Sequence, residues 1–189
     1  EDVTQKTGAG DGTLTHVTWG LGFIDYDNDG LRDLFVACGH LHDNVEMFDN
    51  TTSYRTKNIA LRNTGKDRFQ NISASCGSGL EPVHSSRGAA FSDLDGDGDL
   101  DIVILNSREK PTVIRNDSKN NHHWVRIRLR GASSNRFGVG SHVIVDTGTR
   151  SFIDEVHSGR GYEGHYGLTL HFGLGADDRM KTITGKWLG

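Results

Sequence analysis

The apolar residues of this chain occur in short stretches that are rich in β-branched and aromatic side chains. Residues 34–37, 102–105 and 113–114 are of this kind, and each stretch is bounded by Gly, Asn or Asp, as β-strands commonly are. An apolar i, i+3, i+4, i+7 pattern does not continue for three helical turns anywhere in the sequence. The pattern therefore predicts an all-β protein with very little helix.

The pattern of side chains changes after about residue 120. Residues 124–130, Trp-Val-Arg-Ile-Arg-Leu-Arg, alternate between apolar and basic side chains, which is typical of a strand with one buried and one solvated face. Further strands are predicted at 142–146, 151–156, 168–172 and 183–187. We therefore predict two regions, a repeat region over 1–119 and a second all-β module over 120–189.

An internal repeat links segments of the first region. Three pairs of segments resemble each other in the same order along the chain, and the longest pair has an offset of 68 residues: 20–36 with 88–104, 1–4 with 70–73, and 61–63 with 114–116. Because the order is kept, a whole supersecondary unit repeats. We predict two propeller-type blades, and we interpret the polar segment 39–58 as a long insertion loop of the first blade.

Composition and charge exclude several classes of protein. The chain has 189 residues and a formal net charge of −4, from 21 basic and 25 acidic side chains. This balance differs from the strongly basic surface of most nucleic-acid-binding proteins, so we predict no nucleic-acid partner. No apolar run approaches the ~18 residues of a membrane-spanning helix, so we predict no membrane span. Nine of the 25 acidic residues lie within 25–33 and 93–101, which makes these two stretches the most informative part of the sequence.

Both acidic stretches have the sequence D-x-D-x-D-G-x-x-D, which is a cation-binding arrangement. Carboxylates at positions 1, 3 and 5 converge when the chain turns tightly at the glycine, and positions 7 and 9 add a carbonyl and another carboxylate. Such a set suits Ca²⁺, which accepts about six to eight oxygens, better than Mg²⁺, which requires a tight octahedron. We predict two calcium sites, with Asp25, Asp27, Asp29, the Leu31 carbonyl and Asp33 in the first loop and Asp93, Asp95, Asp97, the Asp99 carbonyl and Asp101 in the second.

An EF-hand and a solvated acidic turn are the alternatives for these two stretches, and both fit less well. An EF-hand needs a glutamate at position 12 and a helix after the loop, whereas this chain has Val36 or Ile104 there and strand-like sequence after it. A solvated turn is compatible with the abundance of Asp and Asn. However, a solvated turn would crowd four or five carboxylates without a counterion, at equivalent positions of both repeat units. We therefore favour the calcium loops.

The remaining motifs indicate no catalytic residues. Residues 159–164 match G-x-G-x-x-G, but a predicted strand follows instead of the helix that a dinucleotide site needs. His40, His42 and Asp43 could hold a transition metal, but in a polar loop they are more typical of a solvated surface. The chain has neither H-E-x-x-H nor G-x-S-x-G, although spacing alone does not exclude a Ser-His-Asp triad.

Specific motifs give the chain a resemblance to a known family. The sequence G-x-x-F-x-D-x-D-x-D-G-x-x-D, present twice, resembles the FG-GAP or VCBS repeats of integrin-like β-propellers. Residues 135–140, 155–162 and 170–175 resemble the ASPIC and UnbV domain. Together these motifs are similar to the family of cartilage acidic protein and its bacterial relatives. The resemblance implies secreted proteins with calcium loops between the strands of each blade, and it departs at the C-terminus, where Trp187-Leu188-Gly189 replaces the usual Trp-Pro-Ser-Gly.

Three functions are compatible with the sequence. We favour a non-enzymatic extracellular module in which calcium stabilises the loops and the surface serves adhesion or assembly. A second hypothesis is a calcium-dependent glycan-binding module, because four tyrosines in predicted loops could stack on sugar rings: Tyr26, Tyr54, Tyr162 and Tyr166. A third is an ancillary domain of a secreted hydrolase. A fold of this class can host any of these functions.

The sequence also suggests how the protein associates and where it is found. Two repeat units offer few contacts between blades, and a strand without its neighbour leaves backbone groups unpaired. We therefore expect a protein partner or self-association through open sheet edges, joining unlike surfaces into a ring or filament. Weak calcium loops are saturated by extracellular calcium, so a secreted or cell-surface location is expected. Cys38 and Cys76 are compatible with a disulfide or with two free thiols.

Overall fold

A computed structural model describes residues 1–188, which form twelve β-strands and a single short α-helix, α1 (Thr4–Thr7). The repeat region contains β1 (Thr18–Ile24), β2 (Asp33–Cys38), β3 (Ile59–Asn63), β4 (Phe69–Asn71), β5 (Ser86–Ser92), β6 (Asp101–Asn106) and β7 (Thr112–Ile114). The rest of the chain contains β8 (His123–Arg128), β9 (His142–Asp146), β10 (Ser151–Glu155), β11 (Thr169–Gly175) and β12 (Thr182–Lys186). The prediction of an all-β fold is confirmed.

The two repeat units fold into sheets with the same strand pairing. Strands β1 to β4 form one antiparallel sheet in chain order, and β5 to β7 form a second. Thr18 and Leu21 bracket an irregularity in the register of β1, and Ser86 and Ala89, each 68 residues later, bracket a matching one in β5. Because a bulge at the same place bends both strands in the same way, the sequence offset is also a repeat of three-dimensional structure.

The echo of residues 1–4 in residues 70–73 encodes a turn that leads into a helical segment. Val3 precedes α1 with φ −114° and ψ 8°, and Ile72 precedes a 3₁₀ helix (Ser73–Ser75) with φ −111° and ψ 5°. The backbone N–H groups of Thr4 and Ser73 each donate to the side-chain oxygen of the residue two positions earlier, at 2.9 Å and 3.0 Å. The echo therefore reflects an Asx turn, which accounts for its Asp or Asn.

The insertion predicted over 39–58 connects β2 to β3 without adding a strand. It contains one 3₁₀ helix (Val45–Met47), which buries the Val45 side chain completely. Glu46 accepts a hydrogen bond from the Tyr54 backbone N–H at 2.8 Å, so the segment is closed by its own contacts. This is the expected behaviour of a long loop whose two ends lie close together, as Cys38 and Asn58 do here.

The two blades pack against each other through β1 and β5. A Cβ atom on Gly20 would lie only 2.6 Å from the backbone nitrogen of Ala89, so the approach of the two strands excludes a side chain at this position. The shared core contains large apolar residues from both units: Ile24, Phe35, Leu80, Phe91 and Ile104. The inner strands are therefore the centre of the repeat region, and β4 and β7 are the outer strands of their sheets.

The C-terminal module has its own core between two small sheets. One sheet has the order β10-β9-β12 and the other pairs β11 with β8, in each case antiparallel. The buried residues between them are Val143, Val145, Val156, Leu170, Phe172 and Leu174. Within residues 1–188, no helix has the length and apolar character needed to cross a membrane. The division into regions at residue 119 stays a prediction.

Candidate metal centre

The first acidic loop, between β1 and β2, brings three carboxylates together. One oxygen from each of Asp25, Asp27 and Asp29 lies within 4.8 Å of the others. Asp25 is 7% exposed and Asp27 is 8% exposed, and the Oδ1 atom of each is buried without a hydrogen-bond partner. Buried acceptors without donors are costly unless something else satisfies them, so this cluster fits a cation with oxygen ligands.

The glycine of each loop permits the turn that makes the carboxylates converge. Gly30 and Gly98 have φ values of +85° and +97°, a region that residues with a Cβ seldom occupy. The N–H of Gly30 donates to Asp25 Oδ2 at 2.9 Å, and the N–H of Gly98 donates to the equivalent Asp93 Oδ2 at 3.1 Å. The two loops thus have the same backbone turn, which was predicted from their common sequence.

The last carboxylate of each loop connects the loop to the third strand of its sheet. Asp33 accepts hydrogen bonds from the backbone N–H groups of Tyr26 (3.2 Å) and Asn63 (2.7 Å). Asp101 accepts from Leu94 (2.8 Å) and Asn116 (2.9 Å) in the same way. The nonapeptide pattern does not predict this role, although the echo that contains Asn63 and Asn116 was a signal of it. A carboxylate has about four acceptor positions, so these bonds leave capacity for a cation.

The second loop, between β5 and β6, forms a cluster of slightly different membership. Oxygens of Asp93, Asp95 and Asp101 lie within 4.8 Å of one another. Asp97 accepts from the backbone N–H of Asp99 at 2.9 Å and stands outside this cluster. In the first loop Asp33 likewise stands outside, and the roles of Asp33, Asp97 and the Leu31 and Asp99 carbonyls as ligands stay predictions.

Burial and like charge make the first loop electrostatically unfavourable when no cation is bound. Burial raises the pKa of Asp25 to about 7, and the charges of Asp29 and Asp27 add to the effect. Burial also raises the pKa of Asp33 to about 8. Arg62 offsets part of the negative charge, because its guanidinium lies 2.8 Å from Asp27 Oδ2 and 3.7 Å from Asp29 Oδ2. A bound divalent cation would favour the ionised carboxylates and so lower these pKa values.

The C-terminal module covers the first loop with hydrogen bonds. His122 Nδ1 lies 2.7 Å from the carbonyl oxygen of Asp27, and Arg150 donates to the carbonyl oxygens of Asp29 (2.9 Å) and Leu174 (2.7 Å). The N–H of Gly175 donates to the carbonyl oxygen of Asn28 at 2.8 Å. These contacts join residues far apart in sequence, and nothing in the local motif predicts them.

Asn28, at the centre of the first loop, connects three parts of the molecule. Its side-chain nitrogen donates to Asp99 Oδ1 in the second loop at 2.7 Å, and its side-chain oxygen lies 2.7 Å from His171 Nε2. Burial lowers the pKa of His171 to about 4, so the ring is neutral at pH 7 and donates through Nε2. Asn28 is 1% exposed and has φ +57°, which asparagine tolerates better than most residues.

The weaker metal candidates of the sequence do not form a further cluster. Within residues 1–188, the two aspartate clusters are the only groups of three His, Cys, Asp or Glu side chains that could share an ion. Asp43 pairs with Arg108 at 2.8 Å on the surface, and His40 Nδ1 accepts from the backbone N–H of His42. Cys38 and Cys76 are free thiols, the first buried and the second exposed.

The four tyrosines of the glycan hypothesis lie in different surroundings. Tyr54 donates to Ser107 at 3.3 Å, and the Tyr162 ring lies 5.1 Å from the Trp19 ring. Tyr26 borders a cavity between the two blades, whereas Tyr166 borders a separate cavity beneath the C-terminal module. They form no common sugar platform.

Comparison with protein families agrees with this architecture. The FG-GAP-like repeat matches residues 25–104, which contain both metal loops, and the family described as ASPIC and UnbV matches residues 131–188. The chain thus resembles FG-GAP-like repeats over the first of these segments and the ASPIC and UnbV domain over the second, and the predicted resemblance is confirmed.

Two curated proteins are similar in sequence to this chain over most of its length. Cartilage acidic protein 1 of Homo sapiens is 28% identical over 161 residues, which is 82% of this chain and 22% of that protein. Cartilage acidic protein 1 of Mus musculus is 27% identical over 167 residues, which is 82% of this chain and 23% of that protein. The chain thus spans less than a quarter of the length of these relatives.

Proposed function

We propose that this protein is a non-enzymatic extracellular module in which two calcium ions stabilise the repeat region and the docking of the C-terminal module. The observation that carries the proposal is the convergence of three carboxylates in each loop, with two buried oxygens in the first loop that lack a hydrogen-bond partner. FG-GAP-like repeats and an ASPIC and UnbV domain support a structural role.

The proposed ligands are the ten residues of the two nonapeptides. Asp25, Asp27 and Asp29 would hold the first ion, with the Leu31 carbonyl and Asp33 completing its oxygen ligands. Asp93, Asp95 and Asp101 would hold the second, with Asp97 and the Asp99 carbonyl. The oxygen-only donor set favours calcium over softer metals. When bound, the ion supplies positive charge that compensates the crowded carboxylates.

Calcium in the first loop would act on the contact between the modules. The carbonyl oxygens of Asp27, Asn28 and Asp29 face donors of the C-terminal module. A loop whose carboxylates repel one another would hold these carbonyls less firmly, so we expect the ion to stabilise the docked arrangement. In this proposal calcium acts as a structural element and takes part in no reaction.

Calcium titration of matched variants tests the proposal. Isothermal titration calorimetry of the wild type should show two ions per chain, and Asp25→Asn and Asp93→Asn should each lose one of them. Asp178→Asn, which removes an exposed carboxylate outside the loops, is the control and should bind two ions. Binding of fewer than two ions by the wild type, or unchanged binding by both loop variants, would contradict the assignment.

The measured affinity also tests the proposed extracellular location. Extracellular modules bind calcium with Kd values of roughly 10⁻⁴ to 10⁻³ M, whereas cytosolic buffers bind at about 10⁻⁹ to 10⁻⁸ M. We expect values in the first range. The names of the relatives, which refer to cartilage, support this location. A nanomolar Kd would contradict it.

Association through sheet edges is part of the proposed structural role. Strands β4 and β7 are the outer strands of their sheets within residues 1–188, and outer strands present unpaired backbone groups. We expect self-association through unlike surfaces, or binding to a protein partner. Light scattering at micromolar protein in millimolar calcium should detect concentration-dependent oligomers, and a stable folded monomer would refute self-association.

A further inference from the structure

A cleft between the two modules contains four arginine side chains. Its cavity volume is about 680 Å³, within the range of sites that hold small molecules. Arg32 comes from the repeat region, and the other three come from the C-terminal module: Arg126, Arg128 and Arg160. We call this space the arginine cleft. It adjoins Asp25 and Asp93, the first carboxylates of the two metal loops.

The arginine cleft has more positive charge than its own carboxylates compensate. Asp154 forms ion pairs with two guanidinium groups, that of Arg32 at 3.1 Å and that of Arg160 at 3.0 Å. Arg126 lies 2.7 Å from Asp93 Oδ2, a predicted metal ligand. The Arg128 guanidinium makes no hydrogen bond or ion pair with any of residues 1–188. The cleft is thus locally cationic in a chain whose formal net charge is −4.

Hydrogen bonds hold part of this charge in a fixed arrangement. Arg160 also donates to the carbonyl oxygen of Glu155 at 2.7 Å, and its guanidinium lies 5.8 Å from the centre of the Tyr166 ring. Tyr166 donates to the carbonyl oxygen of Leu21 at 2.9 Å, which joins the two modules. A guanidinium group that is already oriented loses little freedom when it binds an oxyanion, and its fork of donors matches carboxylate or sulfate.

The cleft also offers apolar surface beside the arginines. Phe23 is 51% exposed and lines the cleft together with Tyr166 and Leu168. A sugar ring has an apolar face that packs on aromatic rings and hydroxyl groups that bind polar side chains. An acidic sugar adds the anionic group that the guanidinium forks recognise.

We propose that the arginine cleft binds a sugar that carries a carboxylate or a sulfate, as a unit of an acidic glycan. The proposal goes beyond the structural role proposed above and rests on its calcium sites only in part: bound calcium would compensate Asp93 and leave Arg126 free for the ligand. Arg128 is expected to make the decisive contact, because its guanidinium has no partner within the described chain.

Saturation-transfer NMR in millimolar calcium tests the proposal with four probes: glucuronate, a sulfated glucose, glucose and a short polyglutamate peptide. Glucuronate, the sulfated glucose or both should bind, and which of them binds identifies the anionic group. Glucose should bind at least tenfold more weakly. Binding of glucose with equal affinity, or a preference for polyglutamate, would overturn the proposal.

A matched pair of variants locates the site. Arg128→Gln should weaken binding of the acidic sugar about tenfold, the effect of losing one charge-assisted hydrogen bond. Arg130→Gln removes the same charge two residues away, outside the cleft lining, and should leave binding within twofold of wild type. Equal losses in both variants would show a nonspecific charge effect and refute the cleft.

Calcium titration of the same two variants separates this proposal from the calcium assignment. Both variants should bind calcium as the wild type does, because neither residue belongs to a metal loop. Loss of sugar binding with calcium binding intact would therefore concern the cleft alone. If the wild type binds no calcium, the sugar measurement on metal-free protein still decides the proposal, and Arg128→Gln must then weaken it relative to Arg130→Gln.

Discussion

The two metal loops have the same nonapeptide pattern and the same backbone turn, but their surroundings differ. The first loop lies beneath the C-terminal module, where Asp25, Asp27 and Asn28 are buried. In the second loop, residues 94–97 are all exposed. The local motif thus determines the turn, and tertiary contacts determine how strongly the carboxylates of that turn depend on a counterion.

The residue at position 4 is the clearest difference between the loops. It is Asn28 in the first loop, with contacts to the second loop and to His171, and Gly96 in the second loop, where a Cβ would meet no atom within 4 Å. Both residues have positive φ values, +57° and +85°. The comparison therefore separates a conformational requirement, which both loops share, from a connecting role that only the first loop has.

Of the changes considered for the two loops, removal of calcium should reduce the stability of the protein most. A ligand that binds only the native state adds about 2.7 kcal/mol per site at 100-fold excess over Kd. Two sites together correspond to a fall in melting temperature on the order of 10 °C or more in EGTA for a chain of this size. Differential scanning calorimetry with and without EGTA checks this. Identical melting curves would refute the metal assignment for both loops.

Exchange of the residues at position 4 should have the next largest effect. Asn28→Gly keeps the positive φ but removes the buried hydrogen bonds to Asp99 and His171, so we expect a loss of about 2 to 4 kcal/mol in the free energy of unfolding. Gly96→Asn places a side chain in open space at a positive φ, which asparagine tolerates better than most residues, so a smaller loss of about 1 kcal/mol is expected. Urea denaturation in saturating calcium measures both. Equal losses of unfolding free energy in the two variants would contradict a connecting role that only Asn28 has.

The pH dependence of stability should be opposite in the metal-free and calcium-bound forms. The pKa values of Asp25 and Asp33 are raised in the folded state to about 7 and about 8, so the metal-free native state holds protons that the unfolded state has already released. Its unfolding free energy should therefore fall as pH rises from about 6.5 to about 8, by roughly 2 kcal/mol; below about 6.5 the lowered pKa of His171 acts in the opposite sense.

In saturating calcium the sign should reverse, because calcium binds the ionised carboxylates. Thermal unfolding of dialysed, metal-free protein at a series of pH values gives the first slope, and the same series with calcium gives the second. Asp25→Asn should flatten the metal-free slope. A metal-free stability that rises with pH across this window would contradict the raised pKa values.

Substitution of Arg62 should have the smallest effect, a modest change in the calcium affinity of the first loop. Arg62 lies 2.8 Å from Asp27, whereas Arg115, its equivalent in the second unit, pairs with Asp117 instead. Arg62→Gln removes a positive charge beside the first ion, so calcium affinity at that site should rise a few-fold, the scale of a partly exposed ion pair. Arg115→Gln should leave both affinities unchanged. Terbium luminescence, sensitised by Tyr26 in the first loop, measures the difference, and weaker binding by Arg62→Gln would contradict it.

The sequence predicted those features that depend on neighbouring residues. The all-β fold, the position of most strands and the turn around Gly30 and Gly98 follow from local patterns, and β9 has the bounds that alternation predicted. The burial of the first loop did not follow, because Arg150 and His122 reach it from 121 and 95 positions away. The arginine cleft did not follow from the sequence either. The alternation of residues 126, 128 and 130 placed three arginines on one face of a strand, but only the fold shows that Arg126 faces Asp93.

The contact of Arg150 with Asp29 also has a consequence for the order of events during biosynthesis. The ribosome makes the first loop early, but the donors that fix its carbonyl groups lie at positions 122, 150 and 175. The second loop also contacts the C-terminal module, but its partner there, Arg126, comes earlier in the chain than Arg150 and Gly175. Contacts between distant residues form late because closing long loops costs chain entropy. The loop that is translated first is therefore the one that matures last.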